Sequence, residues 1–384
     1  MRILFKHGSY ILIVLMFIGC KEPFEPNLPP KPSGYLVVEG FINAQGPTQI
    51  RLSRTTALEQ KQTFKAELNA TVKIEGDDNS TATLSNAPNG IYSGTASINS
   101  GRKYRLRIKT RDSKEYLSDF VSVKITPPID SVSWKEEEKG VQIYVDTHDP
   151  ENKTIYYQYD YDETWEIRSA YYAAFKVERI DPITGKIFIR ETNPQDPQIF
   201  TCWKYDTSVN IILGSSAKLE KDIIHLNPIL FIPTKDERIG IRYSIQLRQY
   251  ALDKEGYEFM EQMKKNTEGL GTIFDPQPSL LKGNIHSISD PNEIVIGYVN
   301  ATTVREERIF ITDAQLANRG FNIYESCPSY RVPNNNDSLR VFIPPGWPYA
   351  AIFEGLAIVA YEVADSRCID CRERGGSNVK PSFW

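Results

Sequence analysis

The sequence of 384 residues contains few of the features that anchor or activate many proteins. Its N-terminal apolar run, residues 10–18, is about half of the roughly 20 residues that a membrane-spanning helix needs. It has four histidines, and no two of them have the spacing of metal ligands. A Gly-x-Ser-x-Gly elbow and a phosphate-binding loop are also missing. These absences argue against a permanent helical anchor, a histidine metal site and motif-bearing enzymes, although a dispersed catalytic triad stays open.

The net charge is small as well. It is −4, with acidic and basic residues interspersed, so we expect no nucleic-acid partner. Apolar residues make up 40% and aromatic residues 11% of the chain, which is enough to form folded cores. The 21 tyrosines and 17 phenylalanines favour strands, because aromatic side chains suit a half-buried pleated surface. No motif indicates a cofactor or a reaction, so we expect no cofactor and no enzyme.

The first 19 residues are organised as a signal peptide. Arg2 and Lys6 form a basic stretch before the apolar run, and Gly19 and Cys20 follow it. The residues before Cys20 resemble a lipobox, in which a small residue admits the peptidase and the thiol accepts diacylglycerol. We therefore predict cleavage after Gly19 and lipid attachment at Cys20. The alternative is an ordinary secretory signal followed by an unmodified cysteine.

Residues 20–34 have the composition of a tether. Five prolines fall between residues 21 and 33, and Pro-rich segments act as semi-rigid spacers. Each acyl CH₂ buried in a bilayer contributes about 0.8 kcal/mol, so several chains on one cysteine hold a protein firmly. We expect a lipid-anchored protein of the outer membrane, with its folded body outside the cytoplasm.

Residues 35–127 are predicted to form an immunoglobulin-like β-sandwich. Apolar and polar residues alternate, for example at residues 104–109 and 121–125, as in strands with one buried face. Asn89 and Gly90 favour a hairpin turn, because both tolerate positive φ. About seven short strands at regular spacing fit such a sandwich. Pro127 and Pro128 then interrupt the pattern, and we place the domain boundary there.

Residues 128–384 are predicted to form a larger β-rich domain with one packed helix near residues 253–268. Asp253 can cap the first turn, and an apolar stripe that includes Tyr257 and Met260 follows it. Gly269 ends the pattern.

Several blocks in order resemble the domain-of-unknown-function family 4249, which comprises surface lipoproteins of Bacteroidota. The blocks are residues 35–42, 242–245, 249–252, 271–278, 282–285, 296–298, 368–371 and 380–384. Many members have cysteines where this chain has His286 and Ala301, which implies the loss of one disulfide pair.

The resemblance implies a role beside a receptor. Genes of the family often neighbour TonB-dependent outer-membrane receptors, so it implies an accessory of such a receptor in nutrient uptake. Lys21 and Glu22 also resemble the lipoprotein export signal of such bacteria, which implies display on the cell exterior. The family supplies no catalytic residue to carry over.

Four cysteines follow Cys20 in the sequence: Cys202, Cys327, Cys368 and Cys371. An even number in an oxidising compartment favours disulfides, and four cysteines allow three connectivities. A zinc site is one alternative, and a redox Cys-x-x-Cys is another. We favour bridges from Cys202 and Cys327 to one tail cysteine each, which would pin the C-terminal tail to the second domain.

Two further clusters have weaker claims as sites. Asp160, Asp162, Glu163 and Glu166 could hold calcium or serve glycoside hydrolysis, but a solvated strand face explains them more simply. The tyrosines at 157, 159 and 161 share one side of a strand and fit a core.

Three aromatic residues lie beyond this regular alternation, and they are our candidates for an exposed ligand platform. They are Trp165, Tyr171 and Tyr172.

Three functions fit the sequence. The favoured one is a non-catalytic binding or accessory lipoprotein that acts with a TonB-dependent receptor. A structural or adhesive surface protein is the first alternative, and a surface glycan or peptide hydrolase is the second. A large exposed apolar patch beside the tether would favour the first, and an elongated body without a concave pocket would favour the second. A pocket with converging acids or a histidine–acid pair, with shifted pKa values, would favour the third.

Overall fold

The computed structural model describes residues 34–56, 65–268, 283–317, 326–343 and 346–384. The predicted signal peptide, the lipidation site Cys20 and residues 20–33 of the tether lie outside these residues. Strands account for 51% of the protein and helical segments for 13%, which confirms the β-rich class. In the described segments, no helix has both the length and the apolar character needed to cross a membrane.

The first region consists of short strands with alternating buried and exposed residues. They are β1 (Leu36–Asn43), β2 (Thr48–Arg54), β3 (Lys65–Ala66), β4 (Thr71–Gly76), β5 (Thr81–Ala87), β6 (Ile91–Gly94), β7 (Lys103–Lys109), β8 (Glu115–Ser118) and β9 (Val121–Lys124). Asn89 and Gly90 both have positive φ at the turn between β5 and β6, as their sequence predicts.

The second region begins with long strands and one long helix. They are β10 (Ile129–Glu137), β11 (Gly140–His148), β12 (Tyr156–Arg168), β13 (Phe175–Ile180), β14 (Ile187–Glu191), β15 (Thr201–Thr207), β16 (Ile212–Ser215), β17 (Ile223–Pro233), β18 (Arg242–Leu252) and α1 (Lys254–Glu268). Helix α1 confirms the helix predicted near residues 253–268.

The remaining elements follow α1. They are β19 (Ile285–Ser287), β20 (Val295–Ile296), β21 (Ala301–Thr302), β22 (Val304–Thr312), β23 (Ser329–Pro333), α2 (Asn336–Phe342), β24 (Gly346–Glu354), β25 (Ala357–Asp365) and α3 (Ser366–Ile369).

Strand pairing in the first region closes on itself. The order β7-β4-β5-β6-β2-β1-β21-β9 returns to its start because β9 also pairs with β7, giving a closed ring of eight strands. This structure, here called the N-terminal ring, differs from the two separate sheets of the predicted sandwich. A closed ring leaves no unpaired strand edge, which an open sheet would have to protect.

The ring is completed by residues that follow helix α1. Strand β21 pairs in parallel with β1 and β9, so it joins the two ends of the N-terminal segment. Strands β19 and β20 add to β8 and β1. The predicted division after residue 127 assigned all of these residues to the second domain, whereas the pairing places them in the first. Strands of two or three residues carry little pattern, so the sequence did not reveal this return.

The second region contains a five-stranded sheet and a three-stranded sheet that share one core. The five-stranded sheet has the order β15-β12-β18-β22, with β16 also paired to β12, and the other sheet has the order β10-β11-β17. Tyr157, Tyr159 and Tyr161 are buried in the core between them, as predicted from their alternation on β12.

A C-terminal lobe is formed by two small sheets and a short helix. Hairpin β13–β14 and the sheet β23-β25-β24 pack with α2 around Phe175, Val332, Leu339 and Tyr361. Disulfides Cys202–Cys371 and Cys327–Cys368 confirm the predicted connectivity. The first of these attaches the tail to β15, and the second lies within the lobe.

Candidate functional site

A cavity lies where the N-terminal ring meets the five-stranded sheet. It is a cleft of about 550 Å³, a volume typical of sites for small ligands. Strands β1 and β2 form one wall, strands β12, β18 and β22 form the floor, and α1 with the segment before β21 closes the third side. The lining residues are Gly40, Phe41, Asn43, Pro47, Gln49, Gln158, Asp160, Arg248, Tyr250, Leu252, Met260, Tyr298, Asn300, Thr302, Val304 and Glu306.

Strand register assembles the floor. Asp160 on β12 lies opposite Arg248 on β18, and Arg248 lies opposite Glu306 on β22. Two residues further along, Gln158 lies opposite Tyr250. Because side chains alternate along a strand, these residues share the face of the sheet opposite the tyrosine core.

Arg248 is the central charge of the floor. Its guanidinium donates to both Asp160 and Asp162, with Nη2 at 3.1 Å from Oδ1 of Asp162. Although burial acts in the opposite direction, the hydrogen bond to Asp162 and the charge of Asp160 raise the pKa of Arg248 above its ordinary value. The arginine therefore stays charged, and its fork is fixed between two carboxylates.

Asp160 is engaged through both of its oxygens. Arg248 donates to Oδ1, and the hydroxyl of Tyr250 donates to Oδ2 at 2.8 Å. Burial nevertheless raises the pKa of Asp160, and the charge of Arg248 offsets this only in part. Burial and the neighbouring Asp160 likewise raise the pKa of the Tyr250 phenol. Neither oxygen of Asp160 is left over as a free acid or base.

The ring wall contributes an aromatic surface. Phe41 meets Tyr250 edge to face, with ring centroids 4.9 Å apart. Gly40 beside it has a φ of +121°, and a Cβ at this position would lie 2.3 Å from the carbonyl oxygen of Gln49. Glycine is therefore required for β1 to approach β2 this closely at the rim of the cleft.

The first turn of α1 forms the third side. Asp253 accepts from the backbone N–H of Gly256 at 2.7 Å and from the hydroxyl of Tyr298 at 3.1 Å, which confirms its predicted role at the start of the helix. A Cβ on Gly256 would lie 2.7 Å from Oδ1 of Asn300. The absence of a side chain at 256 thus makes room for the Asn300 amide beside the helix.

Three amide side chains of the cleft are unused by the protein. Asn300 is 6% exposed, Gln158 is half-buried and Gln49 is exposed. Among the described residues, none of these three side-chain amides has a hydrogen-bond partner. Buried polar groups are usually paired, so an unpaired, almost fully buried amide at a cavity wall indicates a position for water or a ligand.

The two bodies around the cleft are joined at Thr126, which is fully buried. Its backbone N–H donates to Oγ1 of Thr303 at 2.8 Å, and its own Oγ1 accepts from the N–H of Ala251 at 3.0 Å. Arg305 donates to its carbonyl oxygen at 3.2 Å. These bonds link the ring to β18 and β22, so they fix the geometry of the cleft.

The predicted carboxylate cluster is divided between two faces of β12. Asp160 and Asp162 share one face, as predicted, and both bind Arg248. Glu163 points to the other face, where it is 3% exposed and accepts from Arg238 and from the Tyr243 hydroxyl at 2.6 Å.

Glu166 accepts from Arg168 near the end of the strand. The four acids therefore do not converge on one site. Within the described residues, no group of three or more histidine, cysteine, aspartate or glutamate side chains is placed to hold a metal ion.

The predicted aromatic platform is not formed. Trp165 is 8% exposed and lies in the core, because β12 continues to Arg168 and residues 163–167 are all buried. Tyr171 stacks on Tyr349 with centroids 4.3 Å apart and donates to the carbonyl oxygen of Cys327. Only Tyr172 of the three is exposed, at 65%, and none of the three lines the cleft.

The three described histidines are each paired with an aspartate outside the cleft. His148 contacts Asp130, His225 contacts Asp146, and His286 contacts Asp119. The hydrogen bond that His148 donates to Asp130 raises the pKa of His148.

Sequence reasoning identified Asp160 but missed the partners that make it part of a cleft. Arg248, Gln158 and Asn300 come from three separate elements, and strand register rather than sequence spacing brings them together. The alternation of β12 placed Gln158 on the face of Asp160, and that was the one available signal.

The protein is thus β-rich, with a closed ring of eight strands, a second sheet and a polar cleft between them. The chain is a member of the family described as Domain of unknown function (DUF4249), whose sequence profile matches residues 21–308. The match spans the ring, the cleft and most of the second sheet, and it ends within β22. A comparison with curated proteins gives no match.

Proposed function

We propose that the protein is a non-catalytic binding lipoprotein on the exterior of the outer membrane, where it assists a TonB-dependent receptor in nutrient uptake. The observation that carries this proposal is the cleft of about 550 Å³, which joins charged, amide and aromatic side chains from two bodies. A cavity with a few placed polar groups is the usual form of a small-molecule site.

The cleft supports binding rather than catalysis. Both oxygens of Asp160 accept hydrogen bonds, and Glu306 accepts one from Gln246. General acid–base chemistry requires a titratable group within reach of the reacting proton, and the oxygens of Asp160 are already engaged. The three described histidines contact aspartates, and none of them lines the cleft.

The anchor and the receptor rest on the sequence. Cys20 follows a signal-peptide pattern, and family membership is consistent with a lipoprotein beside a TonB-dependent receptor. The bonds around Thr126 fix the two walls of the cleft relative to each other, so a ligand would bind to a largely preformed site.

The anchor is tested by replacing Cys20 with alanine. We expect the Cys20→Ala protein to lose fatty-acid labelling and to leave the membrane fraction, whereas Ser33→Ala in the tether, the matched control, should keep both. A Cys20→Ala protein that still fractionates with membranes would contradict lipid anchoring.

The receptor is tested by crosslinking and purification from native outer membranes. We expect a TonB-dependent receptor to copurify with the wild-type protein and to be absent from the Cys20→Ala preparation. Repeated recovery of the protein without any receptor would contradict the accessory role.

A further inference from the structure

The side chains of the cleft restrict the chemistry of its ligand, and the inference drawn from them rests on the cleft being the binding site of the proposed function. We propose that the cleft binds a neutral, hydroxyl-rich ligand of one or two sugar rings. The pairing of Arg248 with carboxylates, the unpaired amides, the aromatic faces and the pairing of most cleft strands on both sides each point in this direction.

The positive charge in the floor is already paired with carboxylates. Arg248 lies between Asp160 and Glu306 in the strand register and also binds Asp162. An anionic ligand that approached Arg248 would meet these carboxylates, and like charges at close range disfavour binding. A cationic ligand would find both oxygens of Asp160 already bonded to Arg248 and Tyr250.

The unpaired amides supply donors and acceptors together. An amide side chain has a carbonyl oxygen that accepts and an NH₂ that donates, and a hydroxyl group likewise does both. Asn300 is 6% exposed and lines the cavity, and its side-chain amide has no hydrogen-bond partner among the described residues. Gln158 and Gln49 present the same groups from β12 and β2. Neighbouring hydroxyls on a sugar ring match such planar donor–acceptor pairs.

The cleft also offers apolar faces next to these amides. Phe41 and Tyr298 are half-buried at its walls, and Tyr250 of the floor meets Phe41 edge to face. Aromatic rings present large rigid surfaces at little entropic cost. The C–H face of a sugar ring can lie on such a surface while its hydroxyls meet the amides.

An extended peptide fits less well. Peptides commonly bind by adding a strand to an open sheet edge. Strands β1, β2, β12 and β18 at the cleft are each paired on both sides. Of the five strands that form the wall and the floor, only β22 lies at a sheet edge, because among the described strands it pairs with β18 alone. The unpaired amides lie on separate elements and do not form a row along a strand.

The test uses the mature, disulfide-bonded chain on an array of neutral bacterial, plant and animal glycans, followed by calorimetry with the free mono- or disaccharides that bind. We expect saturable binding that is at least about tenfold weaker in Gln158→Ala and in Asn300→Ala. Gln195→Ala, an exposed glutamine outside the cleft, is the matched control and should bind as the wild type does. Thermal unfolding of each variant checks that the fold is retained, and the half-buried Gln158 serves if Asn300→Ala is unstable.

The outcomes separate this inference from the proposed function. Absence of neutral-glycan binding, or binding that neither variant weakens, overturns the sugar ligand. Binding of a peptide or a charged solute that both variants abolish also overturns it, but leaves the cleft as a binding site. Sugar binding together with failure of the Cys20 and receptor tests would instead overturn the transport role and support the ligand class.

Discussion

The N-terminal ring and the C-terminal lobe are stabilised in different ways. The ring contains none of the four paired cysteines, and its strands enclose a continuous apolar core that includes Leu36, Leu52, Leu106 and Ile108. The lobe has sheets of two and three strands. Sheets this small are marginal alone, and two disulfides hold them in place. Closure of a sheet and covalent links are thus alternative solutions to the same shortage of buried surface.

The largest expected effect comes from removing the bridge between the sheet and the tail. The double substitution Cys202→Ser with Cys371→Ser should lower the free energy of unfolding by about 4 kcal/mol, because it opens a long loop of the unfolded chain. Urea unfolding of the mature protein measures this loss of free energy, and limited proteolysis shows whether the C-terminal tail has become loose.

The second bridge is the control for loop length. Cys327 and Cys368 are 41 residues apart, against 169 for the first pair. Chain entropy makes the loss of the shorter loop about 1 kcal/mol less costly. If either double substitution lowered the stability of the ring, which contains neither bridge, as much as that of the lobe, the contrast between the two regions would be lost.

The next largest effect is expected at the junction between the ring and the second sheet. Thr126→Val should cost about 1–3 kcal/mol, because the buried N–H of Ala251 loses its acceptor. It should also make the ring and the second region unfold at separate denaturant concentrations, as measured by tryptophan fluorescence and circular dichroism.

Thr48→Val is the matched control inside the ring. Thr48 is fully buried, and its hydroxyl accepts from the N–H of Asn43 at 2.9 Å. It should destabilise the ring without separating the two transitions. If Thr48→Val separated them and Thr126→Val did not, Thr126 would not be the connection.

Two glutamates, one half-buried in the ring and one buried in the second region, should respond to pH in opposite directions. Although burial opposes it, hydrogen bonds from Arg107 and Arg105 lower the pKa of Glu75 in the ring. Burial raises the pKa of Glu163 in the second region, despite its bonds to Tyr243 and Arg238. Glu75 therefore stabilises the folded protein at pH values above its ordinary pKa of 4.5. This contribution is lost as the pH falls through its lower pKa in the folded state. The contribution of Glu163 to stability is complete below pH 4.5, and it is lost as the pH rises through the raised pKa that Glu163 has in the folded protein.

The measurement compares each wild-type and Gln pair between pH 7 and pH 3. The stability advantage of the wild type over Glu75→Gln should shrink as pH falls, whereas the advantage over Glu163→Gln should grow. For each pair, the change in this stability difference is at most about 1.4 kcal/mol for every unit by which the pKa is shifted. Two trends of the same sign would show that the two carboxylates have similar environments.

The smallest effect is expected on the exposed aromatic residue of the lobe. Tyr172→Ser should change the free energy of unfolding by less than about 0.5 kcal/mol, because the side chain is 65% exposed. Tyr171→Ser is the comparison and should cost more, since that ring stacks on Tyr349. Similar losses at both positions would mean that Tyr172 also has a structural role.

Local pattern predicted the elements better than their assembly. Alternation predicted the buried tyrosines of β12, Asp253 predicted the start of α1, and the even cysteine count predicted two bridges to the tail. Trp165 was misplaced because the strand runs further than its most regular part.

The cleft could not be predicted from the sequence, since its residues meet through register across β12, β18 and β22 and through a ring closed by strands of two residues. Periodicity describes one element at a time, whereas a site between two bodies depends on long-range pairing.

The late arrival of β21 has a consequence for biosynthesis. About 300 residues must emerge before the partner that joins β1 to β9 is available. Until then the N-terminal strands have open edges that invite pairing with other chains. The nascent polypeptide should consequently need a chaperone for most of its translation, and a fragment that stops at residue 127 should aggregate when it is expressed alone.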